Sequence, residues 1–231
     1  MIPITIGFDE REAVAYHVCA QSLISRSSEP LAITPLALKN LTGYHESHKD
    51  GSNAFIYSRF LTPHLMHYQG WAIFMDGDMV VLDDIAKLWA MRDDRYAVMV
   101  AQHDYKTKHP GKYLGNVNED YPRKNWSSVM LWNCGHPANK ALTPAFVETA
   151  TGAQLHRFSW LDDTLIGEIP VFWNWLAGEY PDNNLASLVH FTIGTPCFPE
   201  YAHRWMADRW WREYRAAVEP VEHQGSRPAT L

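Results

Sequence analysis

Trp71-Ala72-Ile73-Phe74-Met75-Asp76-Gly77-Asp78-Met79-Val80-Val81-Leu82 is the stretch that decides how this chain is read. Five residues run from Trp71 to Met75 without a charge, the pattern of a strand buried on both faces of a sheet. Two carboxylates follow at once, spaced i, i+2 around a glycine. Open α/β sheets bind ligands beyond the carboxyl ends of their strands, so Asp76 and Asp78 fall where such a sheet keeps its site. A glycine between them lets the backbone turn tightly and the two side chains converge. Paired carboxylates suit a hard divalent cation, Mn²⁺ or Mg²⁺, that also takes diphosphate oxygens. A plain polar turn is the other reading of the same three residues.

Working outward, strands and helices alternate. Ile2 to Gly7 is a short buried strand ending in Gly7-Phe8-Asp9, and Glu10 to Ser25 has apolar residues at helical spacing. Ala32 to Leu38 reads as a strand, Asn40 to Ser52 as a loop, and Asn53 to Tyr68 as a helix that Pro63 kinks. Asp83 to Trp89 is a short capped helix, with strands at Tyr96 to Ala101 and Ser127 to Trp132. A helix is expected at Pro144 to Thr151 and another starting at Trp160. Val171 to Leu176 and Leu188 to Thr192 follow, then a Trp/Arg-rich helix over 202–218. This alternation predicts an α/β sheet with helices on both faces. With no repeat and no linker, residues 1–231 are expected to form a single domain.

Composition excludes several classes. Of the 231 residues 46% are apolar, enough for a core, and the net charge of -6 argues against a nucleic-acid partner, which would need a basic footprint. Cys19, Cys134 and Cys197 are far apart and odd in number, which points to a reducing, cytoplasmic setting. The start of the chain has no basic and apolar pattern of a signal peptide, and no apolar run has the length of a membrane span.

A set of motifs in chain order resembles glycosyltransferase family 8, the glycogenin-like retaining transferases. Arg59 on a predicted helix precedes the strand that ends in Asp76-Gly77-Asp78. Ile4-Thr5-Ile6-Gly7-Phe8-Asp9 is similar to the family's first strand. Trp160-Leu161-Asp162-Asp163-Thr164-Leu165 is similar to its Asp-Gln-x-Leu segment, and Pro170-Val171-Phe172-Trp173-Asn174 to the strand after it. His190-Phe191-Thr192-Ile193-Gly194-Thr195-Pro196 is similar to its His-containing segment. The resemblance implies a GT-A fold, a Rossmann-like mixed sheet flanked by helices. It implies a sugar moved from a nucleotide-diphosphate donor, a UDP-sugar above all, to a glycan or lipid-linked acceptor with retention. It implies Asp76, Asp78 and His190 as metal ligands. Gly7, Phe8, Asp9, Arg59, Gly77 and Gly194 are then expected to contact the donor, and Asp162 and Asp163 to be catalytic. Asp162 acts there as nucleophile or as a sugar contact in front-face attack; both stay open.

The departures carry information too. Thr195 stands where the family has a lysine that meets the diphosphate, Cys197 where it has a tryptophan, and Asp163 where it has a glutamine. Trp126-Ser127-Ser128-Val129 lacks the family's Asn and Gly. Positive charge for the diphosphate is therefore expected from the polar 102–125 segment, through Lys106, Lys108, Lys112, Arg123 or Lys124. Asp9 is also a candidate helix cap. The aromatic and basic tail, Arg204 to Arg215, reads as a packed amphipathic helix, with peripheral contact to the inner face of a membrane as the alternative. Two rival functions remain: a HAD-type phosphatase with Asp76 as nucleophile and Asp78 as acid/base, and a non-catalytic nucleotide-sugar binder.

Overall fold

A computed structural model describes residues 1–219; residues 220–231, the end of the expected domain, lie outside it. The chain runs β1 (Ile2–Phe8), α1 (Ala13–Ile24), β2 (Leu31–Ala37), α2 (Thr62–Leu65), β3 (Trp71–Met75), β4 (Met79–Val81), α3 (Ile85–Trp89), β5 (Val98–Val100) and β6 (Val129–Asn133). It continues with α4 (Pro144–Thr149), α5 (Gly152–His156), β7 (Ile166–Glu168), β8 (Trp175–Leu176), β9 (Leu188–His190) and α6 (Ala207–Val218). Six strands form one sheet in the order β2-β1-β3-β6-β5-β7, with β6 antiparallel to its neighbours and the rest parallel. The expected mixed α/β sheet is present.

The unbroken apolar run at β3 has a direct cause. Ala72 and Phe74 face one core with Phe60, Leu61, Val147 and Leu155. Ile73 and Met75 face the other with Cys19, Leu23, Ile85 and Leu88. Successive strand residues point to opposite faces, and here helices cover both. Each of the buried Phe, Leu, Ile, Val and Met side chains among them contributes roughly 1.5–3 kcal/mol by leaving water.

A second, smaller sheet, β4-β9-β8, sits beyond the end of β3. Its register pairs Met79 with His190, and the Phe191 N–H donates to Asp78 O at 2.9 Å. A histidine distant in sequence is thereby laid against the Asp76–Asp78 turn.

Several expected elements differ; the segment likened to a strand over Pro170 to Asn174, for one, forms a 3-10 turn, Val171–Asn174. The helix over Asn53 to Tyr68 shrinks to a 3-10 turn, Ser58–Leu61, followed by α2. Pro63 starts α2 instead of kinking a longer helix, since its missing N–H costs nothing in a first turn. No helix starts at Trp160: Asp162 caps a 3-10 turn that leads into β7. The tail helix begins at Ala207, not 202. Trp210 of α6 is wholly buried, Trp211 donates to Ala202 O at 2.7 Å, and Glu213 is held by Arg26 at 2.6 and 3.0 Å. These contacts pack one face of α6 against the body of the protein. Among the described residues no helix is long and apolar enough to cross a membrane.

Two histidines, His103 and His156, are packed inside. Burial pushes both imidazoles down to about 3, helped by His190 for the first and Arg59 for the second. Each is neutral in the folded protein yet free to charge once unfolded. Stability is therefore full above the ordinary value of 6.5 and is lost as pH falls from there toward 3. Between about pH 7 and about pH 5.5 each should remove about 1 kcal/mol. Urea unfolding at both pH values should show His156→Gln losing less stability on acidification than the parent; an equal loss would contradict this origin.

Candidate active site

Asp76 and Asp78 leave β3 and enter β4 with their side chains on one side, and His190 arrives from β9. One ligand atom from each lies within 4.8 Å of the others. His190 Nε2 is 3.4 Å from Asp78 Oδ1 and 3.9 Å from Asp76 Oδ2. All three side chains are buried; Asp78 Oδ1 makes no hydrogen bond, and Asp76 Oδ1 is met only by the Arg59 guanidinium. Buried carboxylate oxygens without donors are costly unless a cation satisfies them. Two carboxylates and an imidazole are a donor set that suits Mn²⁺ or Mg²⁺ and leaves positions for phosphate oxygens. The residues present fit a divalent cation.

The imidazole is oriented for that task. Its Nδ1 lies 3.0 Å from Asn174 Oδ1, while Asn174 Nδ2 donates to Asn125 O at 3.0 Å. The second bond fixes which way the amide points, so Asn174 presents its oxygen and His190 must donate from Nδ1. With Nδ1 so committed, Nε2 is the nitrogen that faces the carboxylates and the one left to ligate a cation. Asn125 holds its carbonyl in place with a left-handed φ of 63°.

Charge is balanced from the opposite side. Arg59 is buried, with Nη1 2.7 Å from Asp76 Oδ1 and 3.1 Å from Ser127 O, and Nε bonded to Ile56 O at 3.0 Å. Burial pushes the Asp76 carboxyl up to about 6, against the pull of Arg59 and with the push of Asp78. Burial would also raise Asp78, but His190 holds it below the ordinary carboxylate value. A third carboxyl, Glu12, sits behind the pair and accepts from Thr195 Oγ1 at 3.0 Å. Burial, then Asp78, pushes it up to about 8. Nothing in the sequence marks Glu12, since a glutamate in a first helical turn is ordinary. Only the fold sets it behind Asp78.

Gly77 is needed for a different reason from the one expected. Its φ is not left-handed; instead a Cβ there would stand 2.5 Å from Gly7 O. Gly7 in turn has the Phe55 ring where its own Cβ would go, and Gly194 has the Tyr201 ring. These glycines permit close approach of chain segments around the site. Asp9 caps the turn after β1. Its oxygens accept from Arg11 N (2.9 Å), Arg11 Nη2 (2.6 Å) and Ala54 N (2.9 Å). Burial works against its charge, but these bonds hold its pKa below the ordinary value. Phe8 packs edge-on to Tyr16.

Two adjoining cavities, which share Lys112, Tyr121 and His156, lie at and beside the cluster. A chamber of about 50 Å³ touches Asp76, Asp78, His190, Lys112 and Tyr113. A cleft of about 530 Å³ opens beside it, lined by Lys112, Asn118, Tyr121, His156 and Arg157 among others. Such a volume suits a small-molecule ligand. His156 lines both, with Nδ1 2.7 Å from Ser127 Oγ and Nε2 without a partner.

Asp162 and Asp163 are not brought into this cluster. β7 starts level with Val98 and Trp132, and through them with Ala72, so its entrance lies at the end of the sheet away from Asp76. Asp162 is exposed and caps its own turn, accepting from Thr164 N (2.9 Å) and Oγ1 (2.6 Å). Asp163, also exposed, pairs with Arg123 at 2.5 Å. Their placement has a local cause: an Asp two residues before a threonine is a capping pattern as much as a catalytic one.

Comparison with known proteins gives a consistent picture. The family model described as Glycosyl transferase family 8 matches residues 20–136. Protein CDI of Arabidopsis thaliana is 47% identical over 219 residues, spanning 91% of this chain and 85% of that protein. Among solved structures, the galactosyltransferase LgtC in complex with donor and acceptor sugar analogs superposes with a TM-score of 0.58. It is 13% identical over 96% of this chain and 98% of that one. Glycosyltransferase GlyE of Streptococcus pneumoniae TIGR4 superposes with a TM-score of 0.60 at 13% identity, over 93% of this chain and 61% of that one. At these identities the solved structures speak to the fold alone.

Asn174→Ala should leave His190 free to take either tautomer. Affinity for Mn²⁺, measured by calorimetry with the metal alone, should fall roughly 10–100-fold. A variant that folds and binds Mn²⁺ as the parent does would remove Asn174 from the account of the site.

Proposed function

The chain belongs to glycosyl transferase family 8, and on that premise we propose that it moves a sugar from a nucleotide-diphosphate donor to a hydroxyl acceptor with retention at the anomeric carbon. The donor is a UDP-sugar in the first instance, the acceptor a glycan or lipid-linked hydroxyl, and the cofactor Mn²⁺ or Mg²⁺. Residues 1–231 act as one transferase unit. The observation that supports this reading most is the convergence of Asp76, Asp78 and His190 beside a cleft of about 530 Å³.

The chain's own residues divide the work. Asp76, Asp78 and His190 would hold the cation, which when bound supplies positive charge against the diphosphate. Arg59 keeps Asp76 ionised in a place where burial favours its acid form. This is a supporting part, and it replaces the direct nucleotide contact expected for Arg59. The ends of β1 and of the β9 segment, Gly7-Phe8-Asp9 and Gly194, remain our candidates for the walls of the nucleotide site. Asp9 acts there through the turn it caps, since its oxygens already take N–H groups. The exposed positions of Asp162 and Asp163 do not support a catalytic part for either.

The phosphatase reading loses its footing on two counts: the family is a transferase family, and Asp76 is clamped by Arg59 instead of standing free as a nucleophile. The free thiols of Cys19, Cys134 and Cys197 suit a reducing compartment such as the cytoplasm.

Thermal unfolding with a panel of UDP-, GDP- and ADP-sugars tests the proposal. With Mn²⁺ present, the right donor at a hundredfold its Kd should stabilise the protein by about 2.7 kcal/mol. Asp78→Ala should abolish both that shift and metal-dependent hydrolysis of the donor. Hydrolysis of phosphate monoesters with no response to any nucleotide sugar would sink it.

A further inference from the structure

Within the 102–125 segment a tight hairpin is closed by a bridge between Gly111 and Val117. Lys112 N donates to Asn116 O at 2.8 Å inside it, and Tyr113 N donates to Ile193 O at 2.9 Å. The second bond pins the hairpin to the segment that follows His190. The arrangement aims the Lys112 side chain at the place where the two cavities meet, and it lines both.

The five basic candidates of this segment separate cleanly. Lys106 and Lys108 are exposed and line neither cavity. Arg123 is spent on Asp163 and on Arg157 O. Lys124 is buried, but its ammonium is already held by Asn118 Oδ1 at 2.7 Å and Glu119 O at 2.6 Å. Lys112 alone has donors to spare. Its Nζ donates to Thr192 Oγ1 at 3.2 Å, and among the described residues it forms no salt bridge.

An ammonium group carries three N–H donors and no acceptor. Enclosing one without a counter-charge is costly, and an arriving anion removes the cost. The nearby acids Asp78, Asp76 and Glu179 favour its charge only from a distance, and none of them forms a salt bridge with it. Asp76 is paired with Arg59, Asp78 with His190, and Glu179 with Thr107, Lys108 N and Asn118. The missing partner is therefore a ligand anion between the carboxylate–imidazole cluster and the cleft.

We propose that Lys112 is a catalytic residue that binds the phosphate oxygens of the departing nucleoside diphosphate. The inference rests on the transferase reading above and deepens it. In the transfer, the bond from sugar C1 to the diphosphate oxygen breaks and its electron pair goes to that oxygen. The acceptor hydroxyl oxygen forms the new bond to C1, and its proton is released to water. Lys112 meets the negative charge that grows on the leaving oxygen, a role for which a preorganised cation is suited. The positive charge thus comes from a hairpin ahead of β6, and Thr195 in the segment after β9 stays bonded to Glu12.

The test compares the full-length parent with Lys112→Met, which keeps the aliphatic stem, and with Lys112→Arg. Calorimetry in Mn²⁺ measures UDP against uridine, GDP against guanosine and ADP against adenosine, after binding of Mn²⁺ alone confirms an intact site. Lys112→Met should weaken the preferred diphosphate about ten- to a hundredfold and leave its nucleoside nearly unchanged. Lys112→Arg should recover part of the loss. If Lys112→Met binds the diphosphate as the parent does, the role of Lys112 is overturned and the transferase reading stands. If the parent itself binds none of the three diphosphates, both fall together.

Discussion

Two carboxylates buried side by side at the end of a strand set the terms for everything around them. Like charges at that distance, shielded from water, cannot both stay ionised unaided. The fold answers from three directions. Arg59 comes in from the segment before α2, His190 from β9, and Lys112 from a hairpin more than a hundred residues after the start of α1's strand partner β1. Each lies on a different stretch of chain, so the cluster exists only when both sheets and the hairpin are in place. The site is a product of tertiary structure, although its two acids are neighbours in sequence.

That division explains what the sequence discloses. The Trp71–Met75 run and the acids after it are local, and their reading as a buried strand with ligands at its end needs no more than periodicity and residue chemistry. His190 is legible only through its resemblance to a family segment, because an isolated histidine at the end of an apolar run is an ordinary core residue. Asn125 and Glu12 stay hidden, and Asn174 shows only as the last residue of a family-like segment, with no sign of its bond to His190. Their parts are played by bonds across 16 to 183 residues of sequence, and no local pattern encodes them. Asp162 and Asp163 differ again: their local pattern is real, and in the fold it is met by a turn that Asp162 caps.

The elements that shrink on folding follow the same logic. Helical spacing over Asn53 to Tyr68 is genuine, yet Arg59 must reach both Asp76 and the carbonyl of Ser127. The backbone there takes tight 3-10 turns, and His67 and Tyr68 end the segment with positive φ. Tertiary demands on one buried arginine thus coincide with the loss of regular helix. At α6 the same kind of demand works in favour of the pattern, since Trp210 and the Arg26–Glu213 pair both need the helical register.

The smaller sheet has a mechanical meaning. Asp76 belongs to the end of the six-stranded sheet, while Asp78 and His190 border β4 and β9 of the three-stranded one. A cation held by all three would rivet one sheet to the other. Loading the site and stiffening the joint between the sheets would then be one event, and a chelator would loosen the seam as it emptied the site.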